Sequence, residues 1–226
     1  MFDRTISLIG LDNYNKIKNS NILVLGIGGV GGYATEALIR SGIENITIVD
    51  YDKVDISNIN RQIIALNNNI GNNKTDEWEK RILSINKNVK VTKINDKISS
   101  DNINILFNNN YDFIIDACDT VIVKKLLIKE CKKRNINLIT VCGMGKKLNP
   151  TLVKICDIRD TSYDPLAKSL RKYVKDENIK GKVMCVFSYE KPITNNNSKV
   201  ISSMMMVPAS AGILASSYVI DKIINS

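Results

Sequence analysis

The 226-residue chain contains no histidine. This excludes catalysis by a histidine base or nucleophile, and it also excludes every histidine-ligated metal site. The five cysteines are odd in number and widely spaced, with no CxxC pair, at Cys118, Cys131, Cys142, Cys156 and Cys185. Such spacing fits neither a disulfide framework nor a cysteine-rich zinc site, and it favours a reduced, cytoplasmic setting.

Targeting and membrane segments are not expected either. The N-terminus has no basic region followed by an apolar segment, so we predict no signal peptide. Residues 201–220 carry no charge, but they include Pro208 and five serines, which suits a buried core helix better than a membrane span. We therefore expect no stable membrane insertion.

The net charge of +9 would suit a polyanionic partner. However, lysine, asparagine and isoleucine are all abundant, which an AT-rich coding bias also produces. The charge alone therefore does not identify a nucleic-acid ligand.

The length favours one large domain over two complete ones.

The pattern of apolar runs predicts the fold. The run "NILVLG" (21–26) has the character of a buried parallel strand, and a glycine-rich turn and a helical stretch follow it. Strands and helices then alternate as far as "INLITVC" (136–142), and a final helix is expected from about Ser210. We predict an α/β, Rossmann-like, doubly wound and mostly parallel sheet with C-terminal antiparallel strands.

The segment "GIGGVGG" predicts a phosphate-binding turn. Gly26, Gly28, Gly29 and Gly31 lie between a strand and a helix, where backbone amides and the helix N-terminus can meet a phosphate. Asp50 ends the next strand, where a carboxylate can hold ribose hydroxyls. These features fit NAD, FAD and ATP equally, and a tight turn without a ligand is the simpler alternative.

Polar residues further along the chain favour ATP. Asn58 and Arg61 lie in "SNINRQ", Lys74 follows thirteen residues after Arg61, and Asp119 ends a later strand in "DACDT". Cations that converge on one pocket suit a triphosphate, whereas hydride transfer does not need them. Asp119 could hold Mg²⁺ on the phosphates. Taken singly, the cations could equally be surface charges.

Three further acids have two interpretations. Asp52 can complete the nucleotide-binding set, but Asp52 and Asp55 also suit a loop and a helix start. Asp116 could be a ligand or a structural acid at the end of its strand.

Together these motifs resemble the ubiquitin-activating-enzyme-like adenylyltransferases. The resemblance rests on "GIGGVGG", "DYDKVDISNINRQ", "GNNKTD" and "DACDT". It implies that Asp50 binds ribose, that Asn58, Arg61 and Lys74 bind phosphates, and that Asp119 lies near the metal. It also implies a homodimer, because the family's N-terminal arginine, which reaches into the partner's site, matches Arg4 in "FDRT".

The second half of the chain resembles one branch of that family. Activators of ubiquitin-like sulfur carriers usually carry two CxxC zinc motifs, which are absent here. The segments 143–151, 157–175, 186–192 and 207–216 instead resemble the branch that dehydrates threonylcarbamoyladenosine in tRNA, although Lys146 and Asn149 depart from its pattern. This implies adenylation of the threonyl carboxylate and ring closure at the modified adenosine beside the anticodon. It also implies a single domain with an ATP-binding half (about 1–150) and a substrate-side, dimer-forming half (about 151–226).

A helix beginning at Asp164 and Pro165 would carry a basic stripe. At about 100° per residue its apolar side chains share one face. The opposite face gathers Lys168, Arg171, Lys172 and Lys175. This stripe would suit an RNA backbone, and an ordinary solvated helix face is the alternative.

Three other functions stay open at this stage. The chain could activate a ubiquitin-like sulfur carrier, or it could be a nicotinamide oxidoreductase. It could also work with a cysteine desulfurase and accept sulfur on Cys185, although apolar neighbours favour a buried, inert thiol.

Overall fold

The computed structural model describes residues 1–193 and 201–226. Its centre is one seven-stranded sheet in the order β3-β2-β1-β4-β5-β7-β6. The strands are β1 (Asn21–Leu25), β2 (Asn45–Val49), β3 (Lys90–Ile94), β4 (Phe113–Asp116), β5 (Asn137–Val141), β6 (Val153–Asp157) and β7 (Met184–Ser188). All neighbours pair in parallel except β6 and β7, which are antiparallel. The predicted fold class is confirmed.

Seven α-helices are described. They are α1 (Asp3–Ile9), α2 (Leu11–Asn19), α3 (Gly31–Ser41), α4 (Lys74–Ile85), α5 (Val121–Arg134), α6 (Pro165–Asp176) and α7 (Met206–Ile224). A helix expected between β3 and β4 is wrong, since that connection holds only a short 3₁₀ turn at Ile103–Phe107. The loop instead covers the sheet with buried side chains such as Ile103 and Leu106, which pack in the same apolar cluster as Leu23 and Leu25.

The sheet is covered on both faces. Alternate residues of β1 belong to different apolar clusters: Ile22 and Val24 join one, and Leu23 and Leu25 join the other. The first cluster includes side chains of α3, α4 and α7, and the second includes side chains of α5. A strand buried on both faces must be apolar throughout, which explains the continuous run "ILVL".

The helix α7 packs closely against α3. A Cβ atom added at Gly212 would lie 2.2 Å from the Val30 carbonyl oxygen, so a side chain there would separate the two helices. The Ser216 hydroxyl donates to the Ala34 carbonyl oxygen at 3.0 Å. By length and composition alone α7 could cross a membrane, but half of its most apolar window is buried in the protein. The core role expected for residues 201–220 is confirmed only for the part within α7, because Ile201 and residues 204–206 are exposed.

The topology places the loops of β1, β2 and β4 together. These strands are parallel neighbours, so their carboxyl ends meet at one edge of the sheet. The segments that follow them carry the glycine turn, Asp50 and Asp119. In doubly wound sheets this edge is where ligands bind.

Candidate active site

The glycine turn after β1 is shaped by close backbone contacts. Gly26 has a φ of +79°, a conformation that favours glycine. A Cβ atom added at Gly31 would lie 1.8 Å from the Gly26 carbonyl oxygen, so the turn closes only without a side chain there. Gly31 begins α3, whose first amides are therefore available at this edge of the sheet.

Asp50 connects the glycine turn to the loop that follows β2. One carboxylate oxygen accepts from the Ile27 amide at 3.0 Å, and the other accepts from the Asp52 amide at 2.9 Å. Burial raises the pKa of the Asp50 carboxyl, and the nearby Lys74 only partly offsets this effect. The carboxylate is thus held rigidly at the base of the cleft.

Lys74 is the first residue of α4 and is almost fully buried, with 5% of its side chain exposed. Its Nζ lies 2.7 Å from Asp52 Oδ2 and 3.9 Å from Asp50 Oδ1. A cation at a helix N-terminus is disfavoured by the helix dipole. The two carboxylates compensate for this and hold the ammonium at the cleft.

The segment after β2 forms a capped 3₁₀ turn. Asp55 accepts from the Ser57 amide at 2.8 Å, and Asn58 Oδ1 accepts from the Asp55 amide at 3.2 Å. Asp55 is therefore a capping residue, as its alternative interpretation proposed. Beyond the turn, Arg61 Nη1 donates to the Ser57 carbonyl oxygen at 2.7 Å.

Asp119 and Asp116 have different environments. Asp119 is exposed at the cleft, and its carboxylate accepts from the Thr120 hydroxyl at 3.3 Å. Asp116 is fully buried, 3.0 Å from Lys124 Nζ, and accepts from the Thr140 hydroxyl at 2.6 Å. Burial lowers the pKa of Lys124, but Asp116 outweighs burial and raises it overall. Asp116 is thus a structural acid.

These residues surround a cleft of about 270 Å³. The predicted residues that line it are Gly26, Gly28, Asp50, Asp52, Asn58, Arg61, Lys74 and Asp119. Gly29 lies beside it, since a Cβ atom added there would contact the Arg61 side chain at 3.4 Å. Arg4 lies on the exposed helix α1 and does not line this cleft.

Several polar residues that line the cleft were not predicted from the sequence, among them Gln62 and Lys97. Gln62 is buried, and its Oε1 accepts no hydrogen bond from the described residues. Its position directly after Arg61 in "SNINRQ" was the signal available. Lys97 adds a third cation to the lining, but no motif surrounds it.

Within the described parts of the chain, no group of three or more potential metal ligands is found. Asp52, Asp96 and Asp119 are the exposed acids among the cleft-lining residues, and Asp52 is already paired with Lys74. Magnesium is commonly bound by one or two carboxylates together with substrate phosphates. The site therefore fits a metal that arrives with a nucleotide and does not fit an all-protein metal centre.

The helix α6 begins where the sequence predicted. The Asp164 carboxylate accepts from the Ala167 amide at 2.7 Å, and Pro165 is the first helical residue. Lys168, Lys172 and Lys175 are exposed. Arg171 differs from the predicted stripe, because its half-buried guanidinium donates to the carbonyl and hydroxyl oxygens of Thr161, at 2.8 and 2.5 Å.

Cys185 is fully buried in β7. Its Sγ lies 3.8 Å from that of Cys156 on the antiparallel neighbour β6. The neighbouring thiols of Cys142 and Cys156, together with burial, raise the pKa of Cys185. A thiol that is inaccessible and protonated is a poor nucleophile. The structure therefore offers no support for Cys185 as a sulfur acceptor.

The chain is similar to known proteins over nearly its whole length. The ThiF family model matches residues 2–225. The tRNA threonylcarbamoyladenosine dehydratase of Bacillus subtilis is 38% identical over 235 residues, which covers 97% of this chain and 92% of the relative. That of Escherichia coli is 38% identical over 210 residues, with 90% and 78% covered. The crystal structure of the E. coli enzyme in complex with ATP superposes with a TM-score of 0.92 at 37% identity, covering 99% of this chain and 93% of that one.

Proposed function

The chain belongs to the ThiF family, and we propose that it catalyses the ATP-dependent dehydration of threonylcarbamoyladenosine in tRNA to its cyclic form. The observation that carries this proposal is the cleft, which joins a glycine turn, a buried acid and two cations in a chain similar to such dehydratases from end to end. The E. coli relative was solved with ATP and with AMP, which supports ATP as the co-substrate. No observation favours a sulfur-carrier activator or a nicotinamide oxidoreductase.

The proposed reaction is the one that the relatives' name implies, and the residues of the cleft suit it. The threonyl carboxylate attacks the α-phosphorus of ATP, which forms an acyl adenylate and releases pyrophosphate. The ureido group of the same nucleoside then attacks the activated carbonyl, the ring closes, and AMP leaves with the carboxylate oxygen. One water is thus lost from the nucleoside. No enzymic nucleophile is needed, because both reacting groups belong to the same nucleoside and the cleft only has to hold them in position.

Each cleft residue has a role in this scheme. The glycine turn and the α3 N-terminus bind phosphate oxygens, and Asp50 holds the ribose hydroxyls. Lys74, Arg61 and Asn58 stabilise the charge that develops on the pyrophosphate. Asp119 would hold the Mg²⁺ that neutralises the phosphates.

The active enzyme is proposed to be a homodimer. Arg4 would reach from α1 into the partner's cleft, which is supported by its exposure and by the fact that it does not line the cleft of its own chain. Met204, Met205, Met206 and Ile213 are exposed apolar side chains that a partner could cover. We assign residues 1–150 to ATP binding and residues 151–226 to the substrate and dimer side of one domain.

The proposed setting is the cytoplasm, where tRNA is modified. The tRNA backbone would lie near Lys168, Lys172 and Lys175 of α6, with Arg171 beneath them. A partnership with a cysteine desulfurase would need an accessible thiol other than Cys185, so it is not part of this scheme.

Two substitutions test the assignment. Lys74→Ala and Arg61→Ala should lower the rate of cyclic nucleoside formation by at least about 100-fold, because each removes a cation from the transition state. Lys80→Ala is the matched control, since Lys80 is an exposed cation further along α4. All three variants should melt cooperatively. Near-normal activity in both Lys74→Ala and Arg61→Ala would refute the proposed roles.

A further inference from the structure

The Arg61 guanidinium is held by its neighbour in the chain. Arg61 Nη1 donates to Asn60 Oδ1 at 2.8 Å, in addition to the Ser57 carbonyl oxygen. The aliphatic part of Arg61 lies over Gly29, where an added Cβ atom would be 3.4 Å from Cγ. The side chain is therefore fixed along its length between the glycine turn and the 57–60 segment, at the edge of the cleft.

Asn60 also contacts the C-terminal half of the chain. Its Nδ2 donates to the carbonyl oxygen of Ser203 at 2.9 Å, across 143 residues of sequence. The orientation of the Asn60 amide is determined by its partners. A guanidinium can only donate and a carbonyl can only accept, so one orientation of the amide satisfies both.

The segment that Asn60 contacts is itself anchored near the substrate side. The Ser202 carbonyl oxygen accepts from the Lys146 amide at 2.7 Å. Lys146 lies in the loop that follows β5, and β5 is the parallel neighbour of β4, whose loop carries Asp119. Hydrogen bonds therefore lead from Arg61 through Asn60 and residues 202–203 to the loop beside the nucleotide cleft.

We propose that Asn60 is a positioning residue that directs Arg61 toward the phosphates of bound ATP and anchors it to the segment before α7. Asn60 touches no reacting atom in this scheme and acts through Arg61. The inference rests on the proposed function for its role in catalysis, but the orientation of Arg61 can be tested by nucleotide binding alone.

The test is a double-mutant cycle on ATP binding, measured by titration calorimetry with magnesium. Asn60→Ala should weaken ATP binding about fivefold, the usual net effect of losing one intramolecular hydrogen bond. In an Arg61→Ala background the same change should have less than about a twofold effect, because the group on which Asn60 acts is gone. Asn67→Ala, an exposed asparagine in the following loop, should bind ATP normally.

A second variant separates this role from general stability. Asn60→Leu keeps the branching of asparagine at Cγ but can form neither hydrogen bond, so it should reproduce the loss seen with Asn60→Ala. An equal loss of ATP affinity in both backgrounds, or no loss in either, would overturn the proposal. Since these measurements need no tRNA, they decide the role of Asn60 even if cyclic nucleoside formation is not observed.

Discussion

Asp50 illustrates how single residues of the cleft are kept ready for a ligand. Its carboxylate is buried beside Lys74 and accepts two backbone hydrogen bonds. Burial nevertheless raises its pKa, so the ionised form is disfavoured in the folded protein relative to water. Asp50 therefore adds little to the stability of the fold, and we expect its role to be ligand binding.

Asp50→Asn tests this separation of stability from function. The amide keeps an oxygen for the Ile27 amide and removes a buried charge, but it leaves the Asp52 amide without its acceptor. The free energy of unfolding should therefore change by no more than about 2 kcal/mol. ATP affinity should fall at least about tenfold, because the ribose hydroxyls lose a charged acceptor. Denaturant unfolding and calorimetry measure the two quantities, with Asp101→Asn as an exposed control. Loss of stability without loss of ATP binding would contradict the assignment.

Lys147 should make stability depend on pH in the alkaline range. Its Nζ is buried, 2.6 Å from the Gly143 carbonyl oxygen and 3.7 Å from Asp164 Oδ2. Burial lowers its pKa below the ordinary 10.5, although Asp164 opposes this. Between the two values the unfolded chain binds more protons than the folded one, so stability from this group rises with pH.

The comparison is with Lys147→Met. The free energy of unfolding of the wild type minus that of the variant should increase as the pH rises toward 10.5. Other lysines titrate in both proteins and cancel. A difference that stays constant or falls over this range would show that Lys147 does not titrate with a lowered pKa.

At the residue scale, residues that belong to motifs of fixed spacing could be predicted from the sequence. Roles that depend on a partner far away in the chain could not. The glycines and Asp50 could be selected because they follow predicted strands, and Arg61 and Lys74 because they lie in the motifs "SNINRQ" and "GNNKTD". The role of Asp116 could not, because it depends on Lys124 and Thr140, which approach only when α5 and β5 pack. Lys97 reaches the cleft from an irregular loop that has no periodicity to reveal it.

At the scale of elements, α6 shows which features of a helix its hydrophobic periodicity predicts and which it does not. Its start and its apolar face were predicted correctly, since Asp164 caps it and Leu170 and Val174 are buried. Helical periodicity placed Arg171 on the exposed basic face together with the lysines, because it takes no account of residues outside the helix. Its partner Thr161 lies in the loop before the helix.

Neutralising the exposed face of α6 should weaken tRNA binding through electrostatics. A triple Lys168→Ala, Lys172→Ala and Lys175→Ala variant should reduce the slope of log affinity against log salt by up to about three. Filter binding across a salt series measures this slope. The control removes three exposed lysines near the opposite edge of the sheet, Lys80, Lys87 and Lys90. Equal slopes for the two triple variants would exclude α6 as the RNA surface.

At the scale of the whole molecule, the dimer makes a distinctive prediction. Arg4→Ala and Lys74→Ala should each be nearly inactive alone. If Arg4 serves the partner's cleft, a mixed dimer contains one site with both residues intact, and co-refolded subunits should recover about a quarter of wild-type activity by random pairing. If Arg4 serves its own cleft, every site in the mixture lacks one residue. No recovery on mixing would therefore contradict the proposed exchange.

The overall architecture was predictable because it depends on alternation along the chain. Apolar strands that alternate with amphipathic helices form a doubly wound sheet. Such a sheet binds its ligands at the carboxyl ends of its strands. The insertion of β7 between β5 and β6 was not predictable in detail, since it places a late strand inside the sheet order. That position brings the C-terminal half beside the loop that follows β5.

The most direct measurement of the central claim is the product of the reaction. Purified protein is incubated with ATP, magnesium and tRNA that bears threonylcarbamoyladenosine. The tRNA is then digested, and the masses of its nucleosides are measured by mass spectrometry. The Lys74→Ala variant is the inactive control. We expect that nucleoside to lose one water only when ATP is present, with AMP and pyrophosphate formed in equal amounts. An unchanged nucleoside in the presence of protein that binds ATP would contradict the dehydratase function and favour activation of a protein carrier.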